Sequence, residues 1–281
     1  MPVTLRAGTP DDAEDCREIT VAAFKTIADQ HNMQGDTIGP APTPGRASNP
    51  KAHVIVAEID GRIVGSAGMD ERCDIVGVGP VTVDPTEQNS GIGRMLMDAV
   101  VARIAQTKAP GARLMQDAFH SRSLVLYIKA GFSVREPTVI MQGAALNLQI
   151  PGCSVRAGTA TDVKGCNLLY ESTHGMHRGG EVESAANSER LLVVERDGRI
   201  TGYSTTVGFF GHSVGETNDD LKALIGGVES FPGAGFHLPA KDTELFQWCL
   251  DNGLKMVRAM TLMSIGLYYE PKGPYLPSIN Y

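Results

Sequence analysis

The sequence predicts a mixed α/β fold built from two consecutive copies of one domain. A single internal match could arise by chance, but three matches in the same order indicate a duplication. The spacing between matched segments shortens along the chain, so the second copy has the shorter loops. The matched pairs are "LRAGTPDD" (5–12) with "VRAGTATD" (155–162), "DGRIVG" (60–65) with "DGRITG" (197–202), and "AGFSVREPTVIM" (130–141) with "NGLKMVRAMTLM" (252–263).

The first copy alternates strands and helices along its length. Apolar residues recur at period two in the predicted strands and at helical spacing in the predicted helices. The "DG" at 60–61 suits a hairpin turn, and Gly131 suits the end of a helix. The predicted elements, in order, are strand 3–7, helix 11–29, strands 53–59, 62–70 and 75–83, helix 91–106, strand 112–118, helix 121–130 and strand 132–141.

Two further segments set the domain organisation. Pro151 and Gly152 mark a boundary, which divides the chain into residues 1–148 and 149–281. Residues 31–50 contain four prolines and three glycines, so they cannot form a long helix. A functional flap and a disordered loop both remain open as interpretations of that segment.

Composition narrows the classes of protein that the chain can represent. The net charge is −7 and no Lys/Arg cluster is present, which is unlike a nucleic-acid-binding protein. No apolar run approaches a membrane span and the N-terminus lacks a signal-peptide core, so we expect a cytoplasmic protein. The five cysteines form no C-x-x-C pair, so free buried thiols are expected rather than disulfides or a metal site.

A glycine-containing loop in "VTVDPTEQNSGIGRMLM" (81–97) carries the first functional signal. No carboxylate lies between Glu87 and Asp98, although the start of a helix favours negative charge. The backbone N–H groups there can converge on phosphate oxygens. Pro80 predicts a bulge in the preceding strand, whose unpaired backbone groups could bind an extended arm containing amides. A diphosphate followed by an amide-bearing arm describes coenzyme A.

These residues match a known family. The run Gln88-x-x-Gly91-x-Gly93 before an amphipathic helix resembles the acyl-CoA signature of the GNAT N-acyltransferase superfamily, and "SLVLYIKAGFSVRE" (123–136) resembles its later helix–strand motif. The doubled chain further resembles tandem GNAT proteins with a divergent second copy. This resemblance implies an α+β fold of two GNAT-like domains, each a twisted mixed, mostly antiparallel sheet flanked by helices. A Rossmann site is disfavoured, because it needs its glycines after the first strand.

The resemblance implies acetyl-CoA as co-substrate and no metal. The developing oxyanion needs a donor, for which the bulged strand offers a backbone N–H near Val81 to Val83. The predicted cofactor-binding residues are Val81, Thr82, Val83, Gln88, Asn89, Ser90, Gly91, Ile92, Gly93 and Arg94.

The predicted reaction is direct transfer of an acetyl group to a small amine-bearing acceptor. Tyr127 occupies the family's tyrosine position and is the predicted general acid for the departing thiolate. Glu71 is the leading candidate for the base, with a surface salt bridge as its alternative role. His120 stands where many relatives have Asn, and it is either a helix-start residue near the cofactor or part of the proton path.

The second copy lacks this signature. Its corresponding stretch, "GHSVGETNDDLKALIGG", places Asp219 and Asp220 after Asn218, where they would satisfy the helix start and repel a diphosphate. Cys249 replaces the tyrosine. We therefore expect no productive coenzyme A binding there, and a C-terminal tail docked on the protein. A non-catalytic acyl-CoA sensor and a protein N-acetyltransferase remain alternatives, and the chain is expected to be a monomer or homodimer.

Overall fold

The computed structural model describes residues 2–30 and 51–280. The proline-rich segment predicted as a flap or disordered loop lies outside the described residues. The strands are β1 (Thr4–Ala7), β2 (Ala52–Ile59), β3 (Arg62–Asp70), β4 (Ile75–Val83), β5 (Gly111–Asp117), β6 (Ser133–Gln142), β7 (Ser154–Ala157), β8 (Leu192–Arg196), β9 (Arg199–Ser204), β10 (Ser213–Gly215), β11 (Phe236–Pro239), β12 (Lys255–Gly266) and β13 (Tyr275–Leu276).

Helices connect these strands in the order that the sequence predicts for the first copy. Each observed element there lies within two residues of its predicted bounds, and Gly131 has a φ of 95° directly after a helix. The α-helices are α1 (Ala13–Gln30), α2 (Ile92–Thr107), α3 (Ser121–Lys129), α4 (Val163–His174), α5 (Gly179–Asn187), α6 (Asn218–Gly227) and α7 (Thr243–Asp251). None of the helices in the described part of the chain is both long and apolar enough to cross a membrane.

The two copies do not keep separate sheets. One sheet has eight strands in the order β1-β2-β3-β4-β5-β12-β6-β11, and the other has five in the order β13-β10-β9-β8-β7. The last strand of the second copy, β12, therefore lies between β5 and β6 of the first. The α/β fold class is confirmed. The eight-stranded sheet contains strands from both sides of residue 148, so the domain boundary near that residue stays a prediction.

The exchanged strands pair around a local two-fold axis. Thr138 and Met260 correspond in the repeat alignment, and they are direct partners in the antiparallel β6–β12 ladder. Strand β5 of the first copy flanks β12, and its counterpart β11 flanks β6. Strand β12 of the second copy thus lies between two strands of the first, and β6 of the first copy lies between two strands of the second.

The eight-stranded sheet carries helices of the first copy on both faces. Helix α1 packs on one face with a cluster that includes Ile19 and Val56, while α2 covers the other face with Leu96 and Val100. This alternation follows the two-residue period of the strands. A separate cluster beside the α1 face joins Met115 of β5 to Met260 of β12 and to Phe209 of the second copy.

The C-terminal tail is docked, as predicted. Strand β13 pairs with β10, with Val214 opposite Tyr275, and the Tyr275 hydroxyl donates to Glu136. Beyond it, the Ile279 N–H donates to the Phe209 carbonyl at 3.1 Å. The tail therefore contacts both copies.

Candidate active site

Strands β4 and β5 separate where the sequence predicted a bulge. They pair in parallel only from Ile75 to Gly77 within the described strands, and the β3–β4 register shifts between Ala67 and Met69, opposite Pro80. The rest of β4 therefore diverges from β5. Such a cleft leaves backbone groups of β4 facing a space that an extended chain can enter.

A cavity of about 700 Å³ occupies this cleft. That volume is in the range of sites for cofactors and small ligands. Its walls come from α1, β4, the loop after β4, α2, β5 and α3 of the first copy, and also from the second copy. The contributions of the second copy and the tail are Phe209, Phe210, Arg258, Met260, Ile279 and Asn280.

The loop at one end of the cavity leads into the start of helix α2. Helix α2 begins after Gly91, whose φ of 91° suits glycine, and no side chain among the described residues caps it. All residues of α2 are described in the structure, and none in its first turn is acidic. The orphan N–H groups and the helix dipole favour a negative group at this end.

Two arginines fix the loop and reduce its negative charge. Arg122 of α3 donates to Asn89 Oδ1 at 2.8 Å and to Gln88 Oε1 at 3.4 Å. Arg62 contacts Glu87 at 2.7 Å, which neutralises the acid just before the loop. These contacts hold the loop predicted to bind phosphate in one conformation, and its phosphate-binding role stays a prediction.

Of the predicted cofactor-binding residues, most line the cavity. Ser90 does not; its exposed hydroxyl donates to the Glu87 carbonyl at 2.5 Å. Thr82 faces α1. Its Oγ1 lies 3.2 Å from the Thr20 Oγ1 and 3.2 Å from the Ser66 Oγ. The lining members are Val81, Thr82, Val83, Gln88, Asn89, Gly91, Ile92, Gly93 and Arg94.

Tyr127 of α3 lies on the wall of the same cavity. Its side chain is 9% exposed and its ring packs 6.4 Å from that of Phe132. Burial, with a smaller contribution from the charge of Asp117, raises the pKa of Tyr127 to about 12. The hydroxyl therefore carries its proton throughout the neutral range, which a proton donor requires.

Three polar residues, His120, Ser123 and Gln116, line the same cavity. His120 precedes α3 and lines the cavity, while its carbonyl accepts from the Ser123 hydroxyl at 2.9 Å. The Ser123 hydroxyl is also 2.9 Å from Gln116 Oε1. The buried Gln116 Nε2 has no hydrogen-bond partner among the described residues. A buried donor without a partner is costly, so this amide fits a ligand carbonyl in the cleft.

Glu71 does not share this cavity. It lies outside the lining and forms a two-point ion pair with Arg103 of α2, at 2.9 and 2.8 Å. The salt-bridge role, which the sequence left as the alternative, describes this geometry. The prediction of Glu71 as the base therefore gains no support from its position.

A different carboxylate faces the cavity, and sequence reasoning did not select it. Asp117 ends β5, and its Oδ1 lies 3.2 Å from Arg258 Nη1 of β12. Asp117 appears in the sequence as part of "QDAFHSRS", but nothing local indicates that a strand 141 residues away supplies its partner. Nearby, burial and the charge of Arg258 lower the pKa of His237 to about 3, so that ring is neutral.

The corresponding cleft of the second copy is closed. Thr217, rather than the predicted Asn218, caps α6, and it forms a reciprocal capping box with Asp220. Asp220 is fully buried and also accepts from Arg196 at 3.1 Å. Strand β13 of the tail pairs with β10, the counterpart of β4, and so takes the backbone groups that the first copy leaves for a ligand.

Comparison with known proteins finds a family match to one segment of the chain. The model described as Acetyltransferase (GNAT) domain matches residues 50–134, from the loop before β2 to the start of β6. The chain carries a GNAT domain. Strands β4 and β5, the loop at 88–94 and Tyr127 all lie inside the matched segment, which supports an acyltransferase. No curated protein sequence matches the chain significantly.

Solved structures show that the whole chain has the tandem GNAT fold. An assigned acetyltransferase from Pyrococcus horikoshii superposes with a TM-score of 0.74 at 15% identity, over 96% of this chain and 92% of that one. A GCN5-related N-acetyltransferase from Sphaerobacter thermophilus gives 0.61 at 16% identity, over 95% and 96%. A tandem GNAT protein of the clavulanic acid biosynthesis pathway gives 0.58 at 11%, over 94% and 98%. At these identities the likeness concerns the fold.

Proposed function

We propose that the protein is an acetyl-CoA-dependent N-acetyltransferase that transfers an acetyl group directly to a small amine. The observation that carries this proposal is a single cavity that runs from the uncapped start of α2, along the separated edge of β4, to Tyr127. A diphosphate, an amide-bearing arm and a thioester would meet these three features in that order. The unpartnered Gln116 amide, beside the same path, supplies a further donor.

Each step of the reaction is assigned to groups of this chain. The backbone N–H groups of residues 88–94 hold the diphosphate, with Arg94 adding positive charge at the helix start. A backbone N–H of β4 near Val81 donates to the developing oxyanion. Tyr127 protonates the departing thiolate, because its hydroxyl lies on the cavity wall and carries a proton at neutral pH.

A thiol-release assay on the full chain tests this proposal. With acetyl-CoA and a panel of small primary amines, we expect free thiol to appear together with acetylated amine, and no release with the amine omitted. Tight acetyl-CoA binding without turnover on the panel would instead favour a sensor. Lack of any acetyl-CoA binding would remove the donor assignment itself.

A further inference from the structure

The cavity has two chemically different sides, set by the alternation of side chains along β5. Gln116 points to the α3 side, where it meets Ser123. Met115 points to the opposite side, where it packs with Met260 and Phe209. Asp117 faces that side as well, because side chains two residues apart on a strand share a face. Tyr127 belongs to the core cluster of the α2 face. The cleft therefore connects two sides. The donor side is the α2 and α3 face, which holds Tyr127, and the second side is the opposite face, to which the inserted strand β12 contributes.

The second side has a largely apolar wall. Phe209 is 6% exposed and Met260 is 2% exposed, and Phe210 lies edge-to-face against Phe209 with ring centroids 5.2 Å apart. Ile279 of the tail closes this wall, held by its backbone bond to Phe209. Transfer of an apolar group from water to such a wall is favourable by about 25 cal/mol per Å² buried.

One charge pair interrupts that wall. The side chains of Asp117 and Arg258 are 11% and 7% exposed, and both line the cavity. A buried ion pair at a cavity wall is costly to retain, and it often marks a group with a chemical task. Arg258 holds the Asp117 carboxylate in place at this wall. An amine can reach that carboxylate, whereas an acceptor carrying its own carboxylate would have to desolvate it against the apolar wall.

We infer that this side is the acceptor site, in which Asp117 receives the amine of an apolar or aromatic primary amine and accepts a proton from its nitrogen. The inference rests on the proposed acetyl transfer and adds the class of acceptor. Arg258 is a positioning residue, since it acts through Asp117. The organic group of the acceptor packs against Met115, Phe209, Met260 and Ile279.

Protons and bonds balance across the two sides. The neutral amine nitrogen bonds to the acyl carbon and releases a proton to Asp117 as the carbon–sulfur bond breaks. The sulfur takes the Tyr127 proton. Transfer of the Asp117 proton to the tyrosine oxygen, through water in the cavity, restores both side chains. The products are the N-acetyl amine and the free thiol.

Two measurements on the full chain test the inference, one of them independent of turnover. Calorimetry on protein saturated with coenzyme A measures 2-phenylethylamine binding, and thiol release with acetyl-CoA compares 2-phenylethylamine with phenylalanine, which adds a carboxylate. We expect 2-phenylethylamine to be the better acceptor by about tenfold or more. Asp117→Asn should weaken its binding about tenfold and lower kcat/KM by about 100-fold, with acetyl-CoA affinity unchanged.

Matched variants separate this role from a loss of folding. Glu183→Gln removes an exposed acid of α5 outside the cavity and should keep wild-type binding and turnover. Arg258→Lys should retain most activity, while Arg258→Met should lose kcat more than acetyl-CoA binding. Wild-type amine binding and turnover in Asp117→Asn, or a preference for phenylalanine, would overturn the inference. So would acetyl-CoA binding without any binding or acetylation of 2-phenylethylamine, whereas no acetyl-CoA binding would defeat the proposed function itself.

Discussion

Arg258 Nη1, on a strand of the second copy, lies 3.2 Å from Asp117 Oδ1, at the end of a strand of the first copy. The two residues are 141 positions apart in sequence and become neighbours because β12 is inserted between β5 and β6. The cavity of the GNAT domain is therefore completed by the copy that has lost the acyl-CoA signature. The second copy therefore contributes wall residues to the cavity and a strand to the shared sheet, although it lacks the acyl-CoA signature.

Separating the copies should prevent the first from folding. A fragment of residues 1–148 lacks β12 and β11, so the β5 and β6 edges lose their partners and an apolar face is exposed. We expect this fragment to aggregate or to unfold without a cooperative transition, while the full chain unfolds in one. Thermal unfolding by circular dichroism measures the difference.

Co-expression with residues 149–281 is the matched control for that fragment. The two pieces should co-purify as one complex with a single unfolding transition. A soluble, cooperatively folding 1–148 fragment would contradict the strand exchange.

Removing the Tyr127 hydroxyl should affect turnover far more than binding. Tyr127→Phe keeps the ring packed against Phe132 but removes the proton donor. We expect kcat to fall about 100-fold or more and the acetyl-CoA Kd to change by less than about twofold. Steady-state thiol release and calorimetry provide the two values, and an unchanged kcat would exclude Tyr127 from the chemistry.

Placing a carboxylate at the start of α2 should weaken acetyl-CoA binding. Arg94 is exposed, lines the cavity and lies 3.6 Å from Asp98. Arg94→Glu puts a negative charge beside the orphan N–H groups, so we expect the Kd to rise about tenfold, with the effect diminishing as salt increases.

Arg190→Glu, an exposed position outside the cavity, gives the same change in net charge and serves as control. It should bind acetyl-CoA like the wild type. An equal loss of affinity in both variants would indicate general electrostatics rather than a local cradle.

The duplicated Arg–Asp pairs predict a dependence of stability on pH. Arg156 holds the pKa of the Asp162 carboxyl far below its ordinary value, as Arg6 does for Asp12. A carboxyl whose pKa is lower in the folded state stabilises the fold above about pH 5 and loses that contribution as the pH falls below about 4. Because the arginines are 39% exposed, we expect Asp162→Asn to cost only about 1 kcal/mol at pH 7.

Urea unfolding at pH 7 and pH 3 measures this contribution. The difference between Asp162→Asn and wild type should shrink at the lower pH. Asp251→Asn, on an exposed site of α7, should show no such trend. A constant difference at both values would contradict the assignment of the pair.

Local patterns predict most elements of the first copy and many of the residues that line the cavity. The repeat between 5–12 and 155–162 reappears as the same geometry, with each Arg bonded to the Asp six positions later. The uncapped start of α2 and the cleft beside Pro80 also follow from short-range chemistry, because glycine, proline and missing carboxylates act on their own neighbours.

Long-range pairing was not accessible in the same way. The segment at 252–263 predicts a strand like its counterpart at 130–141, but an apolar strand pattern does not specify which strand it joins. For this reason the inserted β12, the wall residue Phe209 and the partner of Asp117 could not be foreseen. The sequence makes Glu71 a plausible base because it is a carboxylate between two predicted strands. Its contact with Arg103 depends on how α2 packs on the sheet, which the local sequence does not specify.

The most direct test of the account is a titration of the full chain with acetyl-CoA, followed by the backbone amide resonances in NMR and by the stoichiometry in calorimetry. We predict one equivalent bound, with large shifts at residues 88–94 and none at Thr217 to Asp220, where the capping box fills the second copy's helix start. Two equivalents, shifts confined to other regions, or no detectable association would contradict it.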